Sequence, residues 1–362
     1  MDVLKLVHEA VARNAADLQL IAGSPPLLRI YGNLTPYESL PTLTTEDVQS
    51  ALDQLATPEE KDRFVEDMEL DFGCTISGEV RLRCNVACQF NGLSMAIRIF
   101  PPRVMSIDEL GLPQIFKKLV QQSHGLLILS GPTGSGKTTS MAAMIHHLNQ
   151  LGGYHIVTVE DPIEYVHNRI GSAITQRQLG VHTATYSRAL KHVLRQNPDV
   201  IMVGEIRDMD TAASVLSLAE TGHLILTTSH APSAPQAIER VVDMFPLAER
   251  HLSETRLASL LVAIVCQTLI PRADGSGRVA AVEILTGSDA ARNLIREGKF
   301  YQLPNIIRTH RDDGMISMDE SLVELYSRQL ITYQSLVSCC RDRNEVTKLL
   351  QRPSGEHQAH TT

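Results

Sequence analysis

The sequence contains no tryptophan, and aromatic residues make up only 4% of it, too few for the rows of rings on which single-stranded nucleic acid stacks. Positive charge is not in excess either. The formal net charge is −8, which argues against a broadly basic nucleic-acid binder. The six cysteines, Cys74, Cys84, Cys88, Cys266, Cys339 and Cys340, form no C-x-x-C, so neither a zinc knuckle nor a disulfide framework is indicated. They are expected to be reduced thiols that mostly fill the core. No apolar run approaches the roughly 18 to 20 residues that cross a bilayer. The opening MDVLKLVHEA has no signal-peptide core, so the chain is expected to stay in the cytosol. No internal repeat or low-complexity tract is evident.

What is present is a chain of 362 residues, 43% hydrophobic and 20% charged, long enough for two or three domains. Its most informative stretch is 126–149, LLILSGPTGSGKTTSMAAMIHHLN. An apolar run meets a glycine-rich turn, Gly131-Pro132-Thr133-Gly134-Ser135-Gly136, followed by Lys137-Thr138-Thr139 and a helix-forming segment. This is the phosphate-binding pattern G-x-x-x-x-G-K-[ST]. The glycines let successive backbone N–H groups turn inward on a phosphate at the positive end of the following helix. Lys137 is placed to reach the β- and γ-phosphates of ATP, and the Thr138 hydroxyl to hold Mg²⁺.

Before this stretch, residues 1–100 read as a small α+β domain. Leu4, Val7 and Val11 recur at helical spacing, and a second helix is expected over 45–55 with Thr44 or Thr45 as N-cap. Strand candidates follow at 70–76, 80–90 and 94–100, the first two separated by Gly78. Arg81 and Arg83, two apart on a strand, leave the same face, and Arg98 lies on the next strand. They are either solvated and paired with Glu66, Glu69 and Asp71, or they carry a function. Pro101-Pro102 opens a linker over 101–112.

From 113 to 270 short apolar runs alternate with helical patterns, as in a parallel α/β sheet. The runs 126–129, 155–159, 200–203 and 224–228 each end in polar chemistry, and in open α/β sheets ligands gather at the carboxyl ends of the strands. The second run leads into Glu160, Asp161 and Glu164, an acidic cluster able to support Mg²⁺ through water; Asp161, before Pro162, could equally be a helix N-cap. The third ends in Glu205, a candidate general base whose competing role is in the Mg²⁺ water shell. His223 and His230 bracket the fourth. Either could be a hydrogen-bonded core histidine; otherwise His230 sits where a γ-phosphate could be sensed and His223 where elements or subunits could be coupled. From 271 to 350 a hairpin loop is followed by helical patterning, and 351–362 reads as a polar, disordered tail.

Together these segments resemble the secretion ATPase superfamily, in its PilT/PilU branch of type IV pilus retraction ATPases. The likeness is carried by PPLLRIYGNL at 25–34, GPTGSGKTT as Walker A, TVEDPIEYVH at 158–167 as Asp box, RQNPDVIMVGEIRD at 195–208 as Walker B, AETGHLILTTSHAPSA at 219–234 as His box, and ARNLIREGK and MISMDESL near the C-terminus. It implies a RecA-like P-loop ATPase core with a PAS-like α+β N-terminal domain and a small helical C-terminal region, assembled as a homo-hexameric ring. It further implies Mg²⁺-dependent ATP hydrolysis with Glu205, Glu164 and His230 in catalysis and His223 with the nucleotide-binding set. Arg81, Arg83 and Arg98 become candidate charge-neutralising fingers, and Pro101-Pro102 the hinge across which nucleotide would clamp N-domain against core. The expected partners are an inner-membrane pilus platform protein and a paralogous PilT/PilU ATPase, with no nucleic acid. Assembly and export motors of the superfamily typically carry a tetracysteine zinc module and a longer N-terminal region, so a pilus-assembly or type II secretion export ATPase is the less expected alternative, beside a PilU-like accessory motor. Gln19 in Asp17-Leu18-Gln19-Leu20, Ser229 and Ala291 depart from the usual family residues.

Overall fold

The computed structural model describes residues 1–351 apart from Tyr31, Ser39, 77–79 and 101–102. The Pro101-Pro102 hinge, the Gly78 turn and the tail beyond Gln351 therefore lie outside the described residues. The chain divides into two compact units, 1–104 with 162–166, and 105–161 with 167–362.

In the first unit six strands form one antiparallel sheet in the order β3-β2-β1-β6-β5-β4: β1 (Ala15–Ile21), β2 (Leu27–Ile30), β3 (Asn33–Pro36), β4 (Glu69–Ile76), β5 (Val80–Gln89) and β6 (Gly92–Ile99). Period-two alternation decides its faces. Leu82, Cys84 and Val86 of β5 join Leu18, Leu20, Met95 and Ile97 in a core shared with the helices Val3–Ala12, Thr45–Leu55 and Pro58–Asp67, while Arg81 and Arg83 turn the other way. The helix Thr45–Leu55 begins as expected, with Thr44 and Asp47 closing a capping box. Pro58–Asp67 was not expected from periodicity, because it buries Phe64 alone; its signal is the capping box of Thr57 and Glu60 with Pro58 at its first turn. In the first helix the buried residues are Val3, Leu6, Val7 and Ala10, so Leu4 faces outward.

The second unit is built on a seven-stranded sheet, ordered β13-β12-β7-β11-β10-β8-β9: β7 (Gly125–Ser130), β8 (His155–Glu160), β9 (Ala173–Gln178), β10 (Val200–Val203), β11 (Leu224–Thr228), β12 (Leu261–Pro271) and β13 (Arg278–Thr286). All neighbours run parallel except β12 and β13, which form an antiparallel hairpin. Every residue of β7 is buried, as a strand covered on both faces requires. Leu126 and Ile128 point toward the helices Tyr186–Val193, Met209–Glu220, Ala234–Asp243 and Arg250–Leu260, whereas Leu127 and Leu129 point toward Lys137–Leu151 and Phe116. The hairpin spans residue 270, and helices resume at Asp289–Arg296; the last three, Met318–Ser327, Tyr333–Cys339 and Arg343–Leu350, pack around Ile270, Val279 and Ala281. All six cysteines are free, but only Cys84 and Cys266 are fully buried and Cys88 and Cys339 are exposed, so core filling is not their common role.

Candidate functional site

The sheet order brings the carboxyl ends of β7, β11, β10 and β8 side by side, and the polar sequence clusters follow from those ends. At β7 the loop from Gly131 to Gly136 wraps the start of the helix Lys137–Leu151, whose cap Gly136 has φ of 85° and no side-chain hydrogen bond to the first turn. The positive N-terminal end of that helix follows directly on the glycine loop, the arrangement that suits an anion. Gly131 has φ of 138°, and a Cβ there would lie 2.3 Å from the Gln267 carbonyl, so no larger residue fits. Lys137 is buried and donates to the carbonyls of Gly131 (2.6 Å) and Pro132 (3.0 Å).

Gln267, on β12, escaped the sequence reading. It accepts from Ser140 Oγ at 2.8 Å and donates to the Ser135 carbonyl at 2.8 Å, tying loop and helix to the neighbouring strand. Its one signal in the sequence is a lone amide inside the apolar run VAIVCQTLI. A polar side chain on a buried strand must find partners there.

At β10 and β11 the structure joins Glu205 and His230. His230 Nε2 donates to Glu205 Oε2 at 3.0 Å, while Arg207 forms a close ion pair with Glu205 Oε1 and reaches Asp161 Oδ2 at 3.2 Å. Although partial burial opposes the Arg207 charge, Glu205 and Asp161 raise its pKa above the ordinary value. Arg207 was missed as a site residue, although it lies within the Walker B segment. Thr228 Oγ1 donates to the Gly204 carbonyl at 2.5 Å, and Ser130 Oγ to the Ala231 carbonyl at 2.6 Å, so the histidine loop is fastened to both β10 and β7. Tyr186 closes the cluster from below. Burial, reinforced by the charge of Asp161, raises its phenol pKa, and its hydroxyl is buried without a hydrogen-bond partner.

Three carboxylates expected as one cluster take different partners. Glu160 is buried and accepts from Thr158 Oγ1 (2.6 Å) and Gln176 Nε2 (3.1 Å). Asp161 pairs with Arg207, and no helix starts after it, which removes its N-cap reading. Glu164 belongs to the first unit, where it faces Arg83 at 3.7 Å. His223 is not brought to the phosphate loop. It lies at the opening of β11, its Nδ1 near Thr221 Oγ1 and the Leu218 carbonyl, and its own carbonyl accepts from Gly125 at the start of β7. Thr138, Glu160 and Asp161 offer only hard oxygen donors, the set that suits Mg²⁺ held partly through water. Among the described residues no cluster of three His, Cys, Asp or Glu side chains stands ready to hold a metal.

In the first unit the arginines find partners other than Glu66, Glu69 and Asp71. Arg81 Nε donates to the Ile163 carbonyl at 2.9 Å, and Arg98 Nε to Asp17 Oδ1 at 2.9 Å. Register aligns Arg29, Asp17, Arg98 and Arg83 in one row across β2, β1, β6 and β5. Like charges directly opposite, as Arg98 and Arg83 are, repel, and Asp17 and Glu164 offset them. The row borders a polar cavity of about 370 Å³.

A family model described as type II/IV secretion system protein matches residues 43–348. Over 335 residues the chain is 39% identical to the type IV pilus retraction ATPase PilT of Pseudomonas aeruginosa, covering 92% of this chain and 97% of that one. It is 37% identical over 361 residues to the type IV pilus ATPase PilU of the same organism, covering 99% and 94%. A crystal structure of the pilus retraction motor PilT with bound ADP superposes with a TM-score of 0.85 at 37% identity, covering 96% of this chain and 99% of that one. Among the described residues no helix is long and apolar enough to cross a membrane.

Proposed function

Because the chain belongs to the type II/IV secretion system protein family, we propose that it is an ATP-hydrolysing motor that drives type IV pilus retraction. The observation that carries the hydrolytic reading is the Glu205–His230 pair at 3.0 Å, His230 following β11, which adjoins the strand feeding the phosphate loop, and Glu205 following β10, the next strand over. Its end-to-end match with the retraction ATPases supports the choice of machine. The second reading is an accessory motor like PilU, which the similar coverage by that relative keeps in view.

In this mechanism the loop N–H groups and Lys137 bind the phosphates, Lys137 leaving its two carbonyl acceptors to do so. Thr138, Glu160 and Asp161 would hold Mg²⁺, which supplies charge neutralisation at the phosphate oxygens. Glu205 takes the proton of the attacking water, with His230 fixing one carboxylate oxygen and Arg207 the other. Arg81, Arg83 and Arg98 of a 1–100 domain serve as charge-neutralising fingers and Glu164 takes part in catalysis, with 113–270 as the ATPase core and 271–350 as the helical region. We further propose a homo-hexameric ring, cytoplasmic and peripheral to the inner membrane, that acts on a pilus platform protein and works beside a paralogous ATPase.

The test is ATPase activity of purified wild type and Glu205→Gln, beside twitching motility and surface piliation of strains carrying each. General-base loss should lower kcat about 100-fold or more, and retraction failure should leave pili on the surface. Hydrolysis that depends on Glu205 while motility and pili stay unchanged would move the chain to an accessory or different machine.

A further inference from the structure

The loop that carries His230 is gripped from a second direction, by residues far along the chain that no part of the hydrolytic reading uses. Glu283, on β13 and almost fully buried, accepts from the backbone N–H of Ala234 at 2.9 Å, at the start of the helix Ala234–Asp243. That helix has no side-chain cap of its own, so Glu283 serves both as cap and as counter-charge to the helix end. Glu283 in turn forms a close ion pair with Arg341, whose other terminal nitrogen donates to the Pro232 carbonyl at 2.7 Å. Arg341 is itself held by its backbone. Its N–H and that of Asp342 both bond the buried carboxylate of Asp319, at 2.7 and 3.0 Å. With Ser130 holding the Ala231 carbonyl, Ala231, Pro232 and Ala234 are each tied, and His230 projects from the anchored end toward Glu205.

We infer that Arg341 is a positioning residue for His230, so that the C-terminal helical segment forms part of the hydrolytic site. This rests on the Glu205–His230 reading above. The guanidinium is suited to the task because its planar fork grips a carboxylate and a carbonyl together, which an ammonium cannot reproduce. Removing it frees the loop to drift, and misplacing a group that orients the base lowers the rate without touching the phosphate loop.

The test pairs Arg341→Met with Glu283→Gln, so that no unpaired carboxylate is left buried, and follows steady-state ATP hydrolysis with thermal unfolding as the check on folding. The double variant is expected to fold, to lose about tenfold in kcat, and to keep its KM for ATP within about twofold. Arg341→Lys should recover only part of the rate. The decisive comparison repeats the change in a His230→Ala background, where no further loss is expected because both changes act through one side chain. An unchanged kcat in folded protein, or an equal loss in both backgrounds, overturns the inference. A wild type without Glu205-dependent hydrolysis overturns the hydrolytic reading and this inference with it.

Discussion

Gln267→Leu is the perturbation whose consequence the structure fixes most closely. Leucine has a similar volume, so the cavity contribution is small and the cost falls on the groups Gln267 leaves behind. These are the Ser140 hydroxyl and the Ser135 carbonyl, each held at 2.8 Å. Ser135 and Ser140 are 3% and 2% exposed, so water cannot replace the lost partner. Orphaning a buried polar group costs about 1–3 kcal/mol, which gives about 2–4 kcal/mol for both after partial relaxation. For a unit of this size that is a fall in Tm of about 5–15 °C. Because Gln267 fixes loop and helix together, affinity for ADP should weaken as well. Gln267→Glu sharpens the test: its carboxylate can still accept from Ser140 but faces the Ser135 carbonyl with like polarity, and it adds negative charge beside a phosphate site. It should bind ADP more weakly than Gln267→Leu. Thermal unfolding and titration with a fluorescent ADP analogue measure both quantities. A Gln267→Leu protein with unchanged Tm and unchanged ADP affinity would refute the reasoning, since neither bond would then hold the loop.

Other outcomes follow from single contacts. Arg83→Ala should cost less than about 1 kcal/mol of stability, because its 3.7 Å pair with Glu164 is partly exposed; if Arg83 is a finger, ATPase activity of folded protein falls at least about tenfold, and a wild-type rate removes it from that role. Burial, with a smaller push from His146, lowers the pKa of His167 from 6.5 to about 4. The unfolded chain therefore binds the proton first, so stability present above about pH 6.5 is lost as pH falls toward about 4, by at most about 3 kcal/mol. Urea midpoints of wild type and His167→Gln should differ by a constant amount above about pH 6.5, and wild type should lose stability relative to the variant as pH falls toward about 4; parallel curves throughout would show that His167 is not buried neutral. Tyr186→Phe removes a buried hydroxyl that has no partner, so Tm should hold or rise; a large fall would mean that the hydroxyl is bonded in the folded protein.

Much of the site was legible in the sequence because its chemistry is local. The phosphate loop needs glycine at Gly131 partly for a positive φ set within the turn itself, and the strand and helix beside it carry their own apolar patterns. Glu205 and His230 could be placed at strand ends by the same logic, and the capping residue of Thr45–Leu55 announces that helix. What the sequence could not decide is which strand lies beside which. The order β13-β12-β7-β11-β10-β8-β9 puts Gln267 next to a loop 132 residues earlier in the chain and sets Arg341 against a glutamate 58 residues before it. Local sequence fixes backbone conformation and the kind of group presented. Partners across a sheet are set by non-local pairing and by the burial that follows, and only the folded chain brings those together.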